Sequence, residues 1–283
     1  MKPKVSIIIP VYNEEKDIGK ALESLKQQIH KDFEIIIVDD GSTDNTLEIV
    51  RQFKARILNQ NHQGPGLARN LGAKEAKGEI LIFVDADMIF DKNYIKNLIS
   101  PILKDKAGKI IGTTHDYEIA TNIDNKWSAL WGEIRVSKEQ AKEVKIFRAI
   151  RKDKFIELGG FDQKYGYADD QTFWFKYKIK PIPAKNTTCY HKNPLSLKGT
   201  YKQARWIGAS WKERYTLFKI SVLNYLGVLL YFIFLPFLIL AKSMQTKLKS
   251  SFSIKDIAKF YSVKFAGYGV GIFRAVYLNK VWK

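Results

Sequence analysis

The segment VSIIIPVYNE, residues 5–14, decides the fold, because a continuous apolar run is followed at once by a polar loop. A strand that is covered on both faces shows such a run, whereas a half-exposed strand alternates apolar and polar residues. Three later segments repeat the pattern: FEIIIVD at 33–39, ARILN at 55–59 and EILIFVD at 79–85. The sequence therefore predicts four buried strands, the first over residues 5–10.

Helical patterns separate these predicted strands. Apolar residues recur on one face of residues 14–28, for which Asn13 is the expected N-cap, and further helices are predicted over 45–53 and 66–77. Strand–helix–strand alternation at this spacing implies right-handed crossovers. The fold class predicted is α/β, with a mostly parallel sheet flanked by helices on both faces.

The middle of the chain has weaker periodicity. It predicts strands over 110–117, 146–151 and 187–190, and helices over 125–143 and 152–158. Gly159 and Gly160 mark the end of the second helix and a turn. Residues 162–170 combine Gly166 with aromatic and acidic residues and have no period, so we interpret them as a functional loop.

Composition limits the class of protein. The chain has 283 residues, of which 46% are hydrophobic and 27% charged, which excludes intrinsic disorder. Cys189 is the single cysteine, so the sequence holds neither an intrachain disulfide nor a Cys-rich zinc site, which favours a reducing compartment. The formal net charge of +18 predicts a polyanionic partner: nucleic acid, an anionic membrane or phosphorylated ligands. Residues 1–10 contain no pattern typical of a signal peptide.

The C-terminal part changes character. The 22 residues Ile220–Ala241 carry no charge, which predicts a membrane-spanning or membrane-inserted helix in spite of Pro236, with a buried helix of a soluble protein as the alternative. The tail 242–283 holds nine Lys or Arg residues and a single acid, Asp256. Within it, 257–278 is apolar enough for an interfacial helix or a second, weaker span.

Acidic residues stand at the carboxyl ends of three predicted strands: Glu14, Glu15, Asp39, Asp40, Asp85 and Asp87. In an open parallel sheet these ends share one edge, so the acidic groups are expected to converge. Converging carboxylates repel one another unless a cation or hydrogen-bond donors lie among them. The sequence therefore predicts a ligand site at this edge, with oxygen ligands of the kind that Mg²⁺ and Mn²⁺ prefer.

The motifs VSIIIPVYNE (5–14), VDDGSTD (38–44) and DAD (85–87) together resemble the family 2 glycosyltransferases of GT-A fold. The resemblance covers residues 4–192 and implies transfer of a sugar from a nucleotide-diphosphate donor with inversion at the anomeric carbon. It implies a Rossmann-like catalytic domain over 1–215, with a nucleotide-sugar half at 1–117 and an acceptor half at 118–215. The predicted membrane helix 220–241 and the basic tail 242–283 would follow this domain.

The resemblance further implies roles for individual residues. It assigns nucleotide-sugar binding to Pro10, Tyr12, Glu14, Asp39, Asp40, Arg69, Asp85 and Ala86. Within this set Asp40 is expected to read the nucleobase, and Asp85 to lie on the ribose side. Arg69 matches a basic residue near the donor, although an exposed position on a helix is an equal alternative.

The resemblance also implies a metal site and a catalytic base. Asp87 is expected to bind Mn²⁺ or Mg²⁺ with a contact from His191, for which a structural role is the alternative. Residues 159–162 and 168–170 resemble the family's acceptor loop. Asp170 is therefore the expected base, and its neighbour Asp169 stands where the family usually has Glu. An acid pair at a helix N-terminus is the alternative.

From these observations we expect an inverting, metal-dependent glycosyltransferase that uses a UDP- or GDP-sugar. The expected acceptor is lipid-linked, such as a polyprenyl phosphate or a glycolipid, with a glycan as the alternative, and the catalytic domain is expected on the cytoplasmic face of a membrane. Two alternatives remain: a membrane-bound nucleotide-sugar binder without turnover, and a basic nucleic-acid-binding protein. The acidic strand ends oppose the second alternative, and the sequence contains no recognised nucleic-acid module, so no nucleic-acid partner is expected.

Overall fold

The computed structural model describes residues 3–210 and 221–277, and these divide between two compact units. The first, the sheet unit, comprises Met1–Thr121, Ile134–Gln163 and Asp170–Lys192. The second, the helical unit, comprises Asn122–Glu133, Lys164–Asp169 and Asn193–Lys283. The predicted domain end at residue 215 and the last six residues of the tail lie outside the described residues.

Nine strands make up the sheet: β1 (Val5–Val11), β2 (Phe33–Asp39), β3 (Arg56–Asn59), β4 (Ile80–Phe83), β5 (Met88–Phe90), β6 (Gly112–Ala120), β7 (Ile134–Val136), β8 (Ala149–Arg151) and β9 (Ile182–His191). They lie in the order β3-β2-β1-β4-β8-β6-β9-β5, and β7 pairs with β6 outside this path. Strands β3, β2, β1 and β4 run parallel to one another, whereas β8 runs antiparallel to both β4 and β6. The predicted α/β class is confirmed, but the sheet is mixed and not mostly parallel: β3, β2, β1 and β4 form its parallel part, and antiparallel pairs join most of the other strands.

Eight shorter helices accompany the strands: α1 (Ile18–Lys26), α2 (Thr46–Val50), α3 (Pro65–Glu75), α4 (Tyr94–Lys104), α5 (Lys126–Trp131), α6 (Lys152–Glu157), α7 (Thr172–Tyr177) and α8 (Leu197–Ala209). Of these, α5 and α8 belong to the helical unit. The helices α1, α2 and α3 are the crossovers between the four parallel strands, as the alternating pattern predicts.

The unbroken apolar run of β1 is explained by burial on both faces of the sheet. Ile7 and Ile9 pack into one apolar cluster, which includes residues of α1 and α4. Ile8 points to the other face and packs into a second cluster with Ala68 of α3 and Phe155 of α6. Because both faces are covered, the successive residues Ile7, Ile8 and Ile9 are all apolar. The one polar residue of the strand, Ser6, is buried and donates a hydrogen bond to Glu34.

The described residues of the helical unit form two long helices besides α5 and α8. We call them the apolar helix (Ser221–Lys247) and the terminal helix (Ile254–Tyr277). The segment Gly227–Lys247 is long and apolar enough to cross a membrane, with a hydropathy of 2.0, and only 11% of its most apolar window is buried. This segment overlaps the predicted membrane helix 220–241.

Several local expectations are wrong. The helix predicted over 125–143 ends at Trp131, because Gly132 adopts a φ of 133° and the chain then forms β7 against β6. Asn13 does not cap α1, which begins at Ile18; its own φ of 57° places it in the left-handed region. The short strand predicted over 187–190 is part of the longer β9, and the sequence reasoning missed β5 and α4.

Candidate active site

The loops that follow β1 and β2 are tied to each other by hydrogen bonds. The Asn13 side-chain oxygen accepts from the Thr43 amide at 2.8 Å, and the Asn13 amide donates to the Ser42 hydroxyl at 3.0 Å. The amide of Glu14 donates to the hydroxyl of Thr46 at 2.7 Å. The left-handed backbone of Asn13 thus serves to join the first two motifs at one edge of the sheet.

Asp40 organises a third loop, residues 60–64, at the same edge. Its two carboxylate oxygens accept from the amides of Gln63 and Gly64 at 2.7 and 2.9 Å, and from the Gln60 side chain at 2.7 Å. Nδ1 of His62 lies 3.0 Å from the same carboxylate. These contacts leave Asp40 3% exposed, so a nucleobase contact from its carboxylate requires one of the three hydrogen-bond donors to be released.

The ring of His62, which belongs to this loop, packs against the ring of Tyr12. The rings of Tyr12 and His62 have centroids 4.0 Å apart and an interplanar angle of 31°, and Tyr12 is 38% exposed. The other predicted donor-binding residues at this edge are less accessible: Pro10 is half-buried within β1, while Asp39 is 4% exposed and accepts from the Ser42 amide at 3.1 Å. His62 was missed from the sequence, where nothing distinguishes it from an ordinary loop histidine.

Asp85, which follows β4, is held between two buried guanidinium groups. Nη2 of Arg69 lies 2.7 Å from one oxygen and Nη1 of Arg148 lies 3.3 Å from the other. Burial alone would raise the pKa of Asp85, but the two arginines outweigh it and hold the pKa well below its usual range. Arg69 is 7% exposed, so the alternative of an exposed helix residue is wrong. Arg148 was not among the predicted site residues. It lies directly before β8, between the buried Phe147 and Ala149, and a charged residue at such a position indicates a paired buried charge.

Asp87 lies beside His191, because β5 and β9 pair antiparallel and bring Met88 opposite His191. Oδ1 of Asp87 is 3.0 Å from Nε2 of His191, and the other ring nitrogen, Nδ1, is 2.7 Å from Oε1 of Glu118. Burial alone would lower the pKa of His191, but the two carboxylates raise it to about 9. The structure therefore brings the two predicted metal ligands together.

This pair fits a divalent cation by its donor chemistry. A carboxylate oxygen and an imidazole nitrogen are both ligands that Mn²⁺ accepts, while Mg²⁺ favours oxygen. The side chains of Asp87 and His191 are 30% and 12% exposed, so one side of the pair is accessible to further ligands such as phosphate oxygens. The nearby Ala86 is 4% exposed and contributes backbone rather than a reactive side chain.

Behind the pair lies a buried cluster of His115, Glu118 and Cys189, whose potential ligand atoms all lie within 4.8 Å of one another. These groups already bond among themselves: Nε2 of His115 is 3.0 Å from Glu118, and Nδ1 is 3.3 Å from Sγ of Cys189. Arg135 also donates to Glu118 through Nε at 2.7 Å. Burial raises the pKa of the Cys189 thiol, which disfavours the thiolate that a metal would need. We interpret the cluster as the support of His191.

Asp169 and Asp170 lie in the 3₁₀ segment Gln163–Gln171, directly before α7. Asp169 is 1% exposed and belongs to the helical unit, whereas Asp170 is half-buried and belongs to the sheet unit. Burial alone would lower the pKa of Arg148, but carboxylates led by Asp85, with Asp170 among them, raise it above its usual range. The charge of Asp170 therefore acts on the same guanidinium that holds Asp85.

Comparisons with known proteins show the family to which the chain belongs. The family model described as Glycosyl transferase family 2 matches residues 6–159. Glycosyltransferase GlyA of Streptococcus pneumoniae is 35% identical over 240 residues, which are 76% of this chain and 34% of GlyA. This chain thus spans about a third of that relative's length.

Two solved structures share the fold at low sequence identity. The mannosyltransferase PcManGT from Pyrobaculum calidifontis, in complex with GDP-Man and Mn²⁺, has a TM-score of 0.63 at 19% identity, covering 99% of this chain and 89% of its own. Staphylococcus aureus TarS 1–349 in complex with UDP has a TM-score of 0.52 at 20% identity, covering 96% of this chain and 90% of its own. Both likenesses support the fold alone.

Proposed function

The chain belongs to glycosyl transferase family 2, and from this premise we propose that it transfers a sugar from a UDP- or GDP-sugar with inversion and with the help of a divalent cation. The observation that carries the proposal is the meeting of Asp87 with His191 next to an Asp85 that two arginines keep ionised. The oxygens of a nucleoside diphosphate are negatively charged. A divalent cation held by Asp87 and His191 would supply the positive charge that neutralises them.

The nucleoside is proposed to bind at the loops after β1 and β2. Tyr12, in its pair with His62, offers an exposed ring on which a base can stack. Asp40 fixes the loop that carries His62, and reads the base only if one of its present donors is released. The complexes of TarS with UDP and of PcManGT with GDP-Man support both nucleotides as candidates.

The proposed metal ligands are Asp87 and His191, with Mn²⁺ or Mg²⁺ as the ion. When bound, the cation neutralises the charge that develops on the departing nucleoside diphosphate. Asp87 supplies a carboxylate oxygen. Glu118 accepts a hydrogen bond from Nδ1 of His191 and so orients the ring with Nε2 towards Asp87. Asp85 keeps Arg69 and Arg148 in place beside this position.

Asp170 is the proposed catalytic base, and Asp169 its neighbour. Inversion requires the acceptor hydroxyl to attack from the face opposite the leaving group and to lose its proton as it does so. A carboxylate at residue 170 can take that proton. Asp169 is buried, which favours a role in stabilising the 3₁₀ segment that carries Asp170.

A membrane is the proposed place of action, with a lipid-linked acceptor and the catalytic domain on the cytoplasmic face. The support is the apolar helix, whose segment Gly227–Lys247 is mostly exposed, together with the excess of Lys and Arg after it. Anionic headgroups attract such a basic segment, by roughly 1 kcal/mol for each residue near the surface.

A donor screen tests the proposed function. We expect UDP- or GDP-sugars to raise the melting temperature in the presence of Mn²⁺, and the same donor to be hydrolysed slowly without an acceptor. EDTA should abolish both effects and added Mn²⁺ or Mg²⁺ should restore them. The nucleotide-sugar binder without turnover predicts the thermal shift without hydrolysis or transfer. Failure of every nucleotide sugar to bind would contradict the proposal.

A further inference from the structure

Among residues 227–247 of the apolar helix, the five most exposed large apolar residues form one stripe, and Phe234, which is 55% exposed, lies beside it. Leu229, Ile233, Phe237, Leu240 and Met244 are 56%, 59%, 69%, 58% and 59% exposed. Their spacing of four, four, three and four residues keeps them within about 80° of the helix circumference, since 3.6 residues make a turn. We call them the exposed stripe.

The opposite side of the apolar helix packs on the terminal helix over most of its length. At one end the Tyr231 hydroxyl donates to the carbonyl of Phe265 at 2.9 Å, and at the other the hydroxyls of Thr246 and Tyr261 lie 2.9 Å apart. The two helices therefore form an antiparallel hairpin. Any depth that the apolar helix takes in a membrane is also the depth of the terminal helix.

The terminal helix is fixed in turn to α8. A Cβ at Gly267 would lie 2.7 Å from the carbonyl oxygen of Tyr201, and one at Gly271 would collide with the carbonyl of Arg205. Such close backbone approach requires glycine on the terminal helix. Gly267 and Gly271 thus let the backbone of the terminal helix contact α8, and the apolar helix, the terminal helix and α8 form one layered group.

This layering is incompatible with a span. If the apolar helix crossed a bilayer, the helices packed with it would enter at the same depth, and the exposed Lys259 of the terminal helix and Lys202 of α8 would enter the hydrocarbon. Charged residues at that depth are strongly unfavourable. An orientation in the membrane plane buries the exposed stripe and leaves those charges at the level of the headgroups or above it.

From this geometry we infer that the apolar helix lies in the plane of an anionic membrane surface, with the exposed stripe inserted at the boundary between headgroups and acyl chains. The inference rests on the proposed membrane association and replaces a span by a shallow insertion. Charge complementarity favours an anionic bilayer over a second protein copy, because the tail after residue 241 carries nine basic residues against Asp256 alone. Lys247, one turn beyond Met244, lies on the line of the stripe.

Depth measurements on the full-length protein test this orientation. Leu229→Cys and Leu240→Cys place a fluorescent label at two points of the stripe that lie about 16 Å apart along the helix, and the native Cys189 is buried and does not compete for the label. In vesicles with 30% phosphatidylglycerol, we expect both labels to be quenched most strongly by spin-labelled lipids with a shallow label, and to the same degree. A spanning helix would give one shallow and one deep position.

Binding measurements separate the remaining outcomes. We expect flotation with anionic vesicles to fall at least tenfold in pure phosphatidylcholine and in the double variant Ile233→Ser/Phe237→Ser. Absence of vesicle binding, or a concentration-dependent dimer that the double variant abolishes, would overturn the inference. Donor hydrolysis by the same proteins without vesicles reports on the proposed function alone, so its loss leaves the orientation result intact.

Discussion

Replacing Asp87 by alanine is expected to abolish sugar transfer and leave the fold intact. The variant removes the carboxylate that faces Nε2 of His191 at 3.0 Å, and with it the proposed anchor of the cation. Metal stabilisation of a leaving group is worth several kcal/mol, so we expect kcat to fall by at least about 1,000-fold. Because Asp87 is 30% exposed, the melting temperature should change by no more than about 2 °C.

Asp91→Ala is the matched control for this variant. Asp91 is an exposed acid directly after β5, where its carboxylate accepts a hydrogen bond from the Tyr190 hydroxyl at 3.3 Å. Its removal subtracts the same charge from the same part of the sheet without touching the proposed metal ligands, so activity should stay near that of the wild type. Metal-stimulated transfer by Asp87→Ala at a rate close to that of the control would remove Asp87 from the site.

Asp170→Asn is expected to lose transfer while it retains donor binding. The amide has the same shape as the carboxylate but cannot take the acceptor's proton, which predicts a decrease in kcat of about 10²–10⁴-fold. The KM for the donor should stay within a few-fold of wild type. Steady-state kinetics at varied donor and acceptor concentrations, together with a thermal shift by the donor, separate the two effects.

The neighbouring residue provides the comparison for that prediction. Asp169 is 1% exposed, so Asp169→Asn should act mainly on stability and lower the melting temperature more than Asp170→Asn does. The reverse pattern, with transfer lost in Asp169→Asn and kept in Asp170→Asn, would exchange the roles of the two carboxylates.

The parallel half of the sheet could be predicted because its signals are local. Each strand from β1 to β4 contains an apolar run, although the third predicted strand is not buried: β3 holds only Ile57 and Leu58 between exposed polar residues. The acidic motifs follow the ends of β1, β2 and β4. The convergence of the motifs then follows from the rule that parallel strands share a carboxyl edge. The predicted residues Asp85, Asp87 and Arg69 lie at this edge for that reason.

The second half could not be predicted in the same way, since its contacts join distant parts of the chain. Glu118 meets His191 through β6–β9 pairing, and Arg148 meets Asp85 through the antiparallel pairing of β8 with β4. Neither partner shares a motif with the residue it supports. The failed helix over 125–143 has a local cause, the positive φ of Gly132, which hydrophobic periodicity does not register.

Asp40 has a structural role in addition to the one that the resemblance implies. The sequence predicts a residue that reads the nucleobase, whereas its carboxylate accepts hydrogen bonds from the loop 60–64 and fixes His62 next to Tyr12. Nothing in the VDDGSTD motif points forward to that loop, so only the tertiary structure reveals it.

Anomalous diffraction from a crystal soaked with Mn²⁺ and UDP or GDP tests the central claim most directly. The account predicts one strong manganese peak at coordination distance from a carboxylate oxygen of Asp87 and from Nε2 of His191, with the diphosphate oxygens completing its shell. A manganese peak inside the cluster of His115, Glu118 and Cys189, or a diphosphate bound with no metal at Asp87, would contradict it.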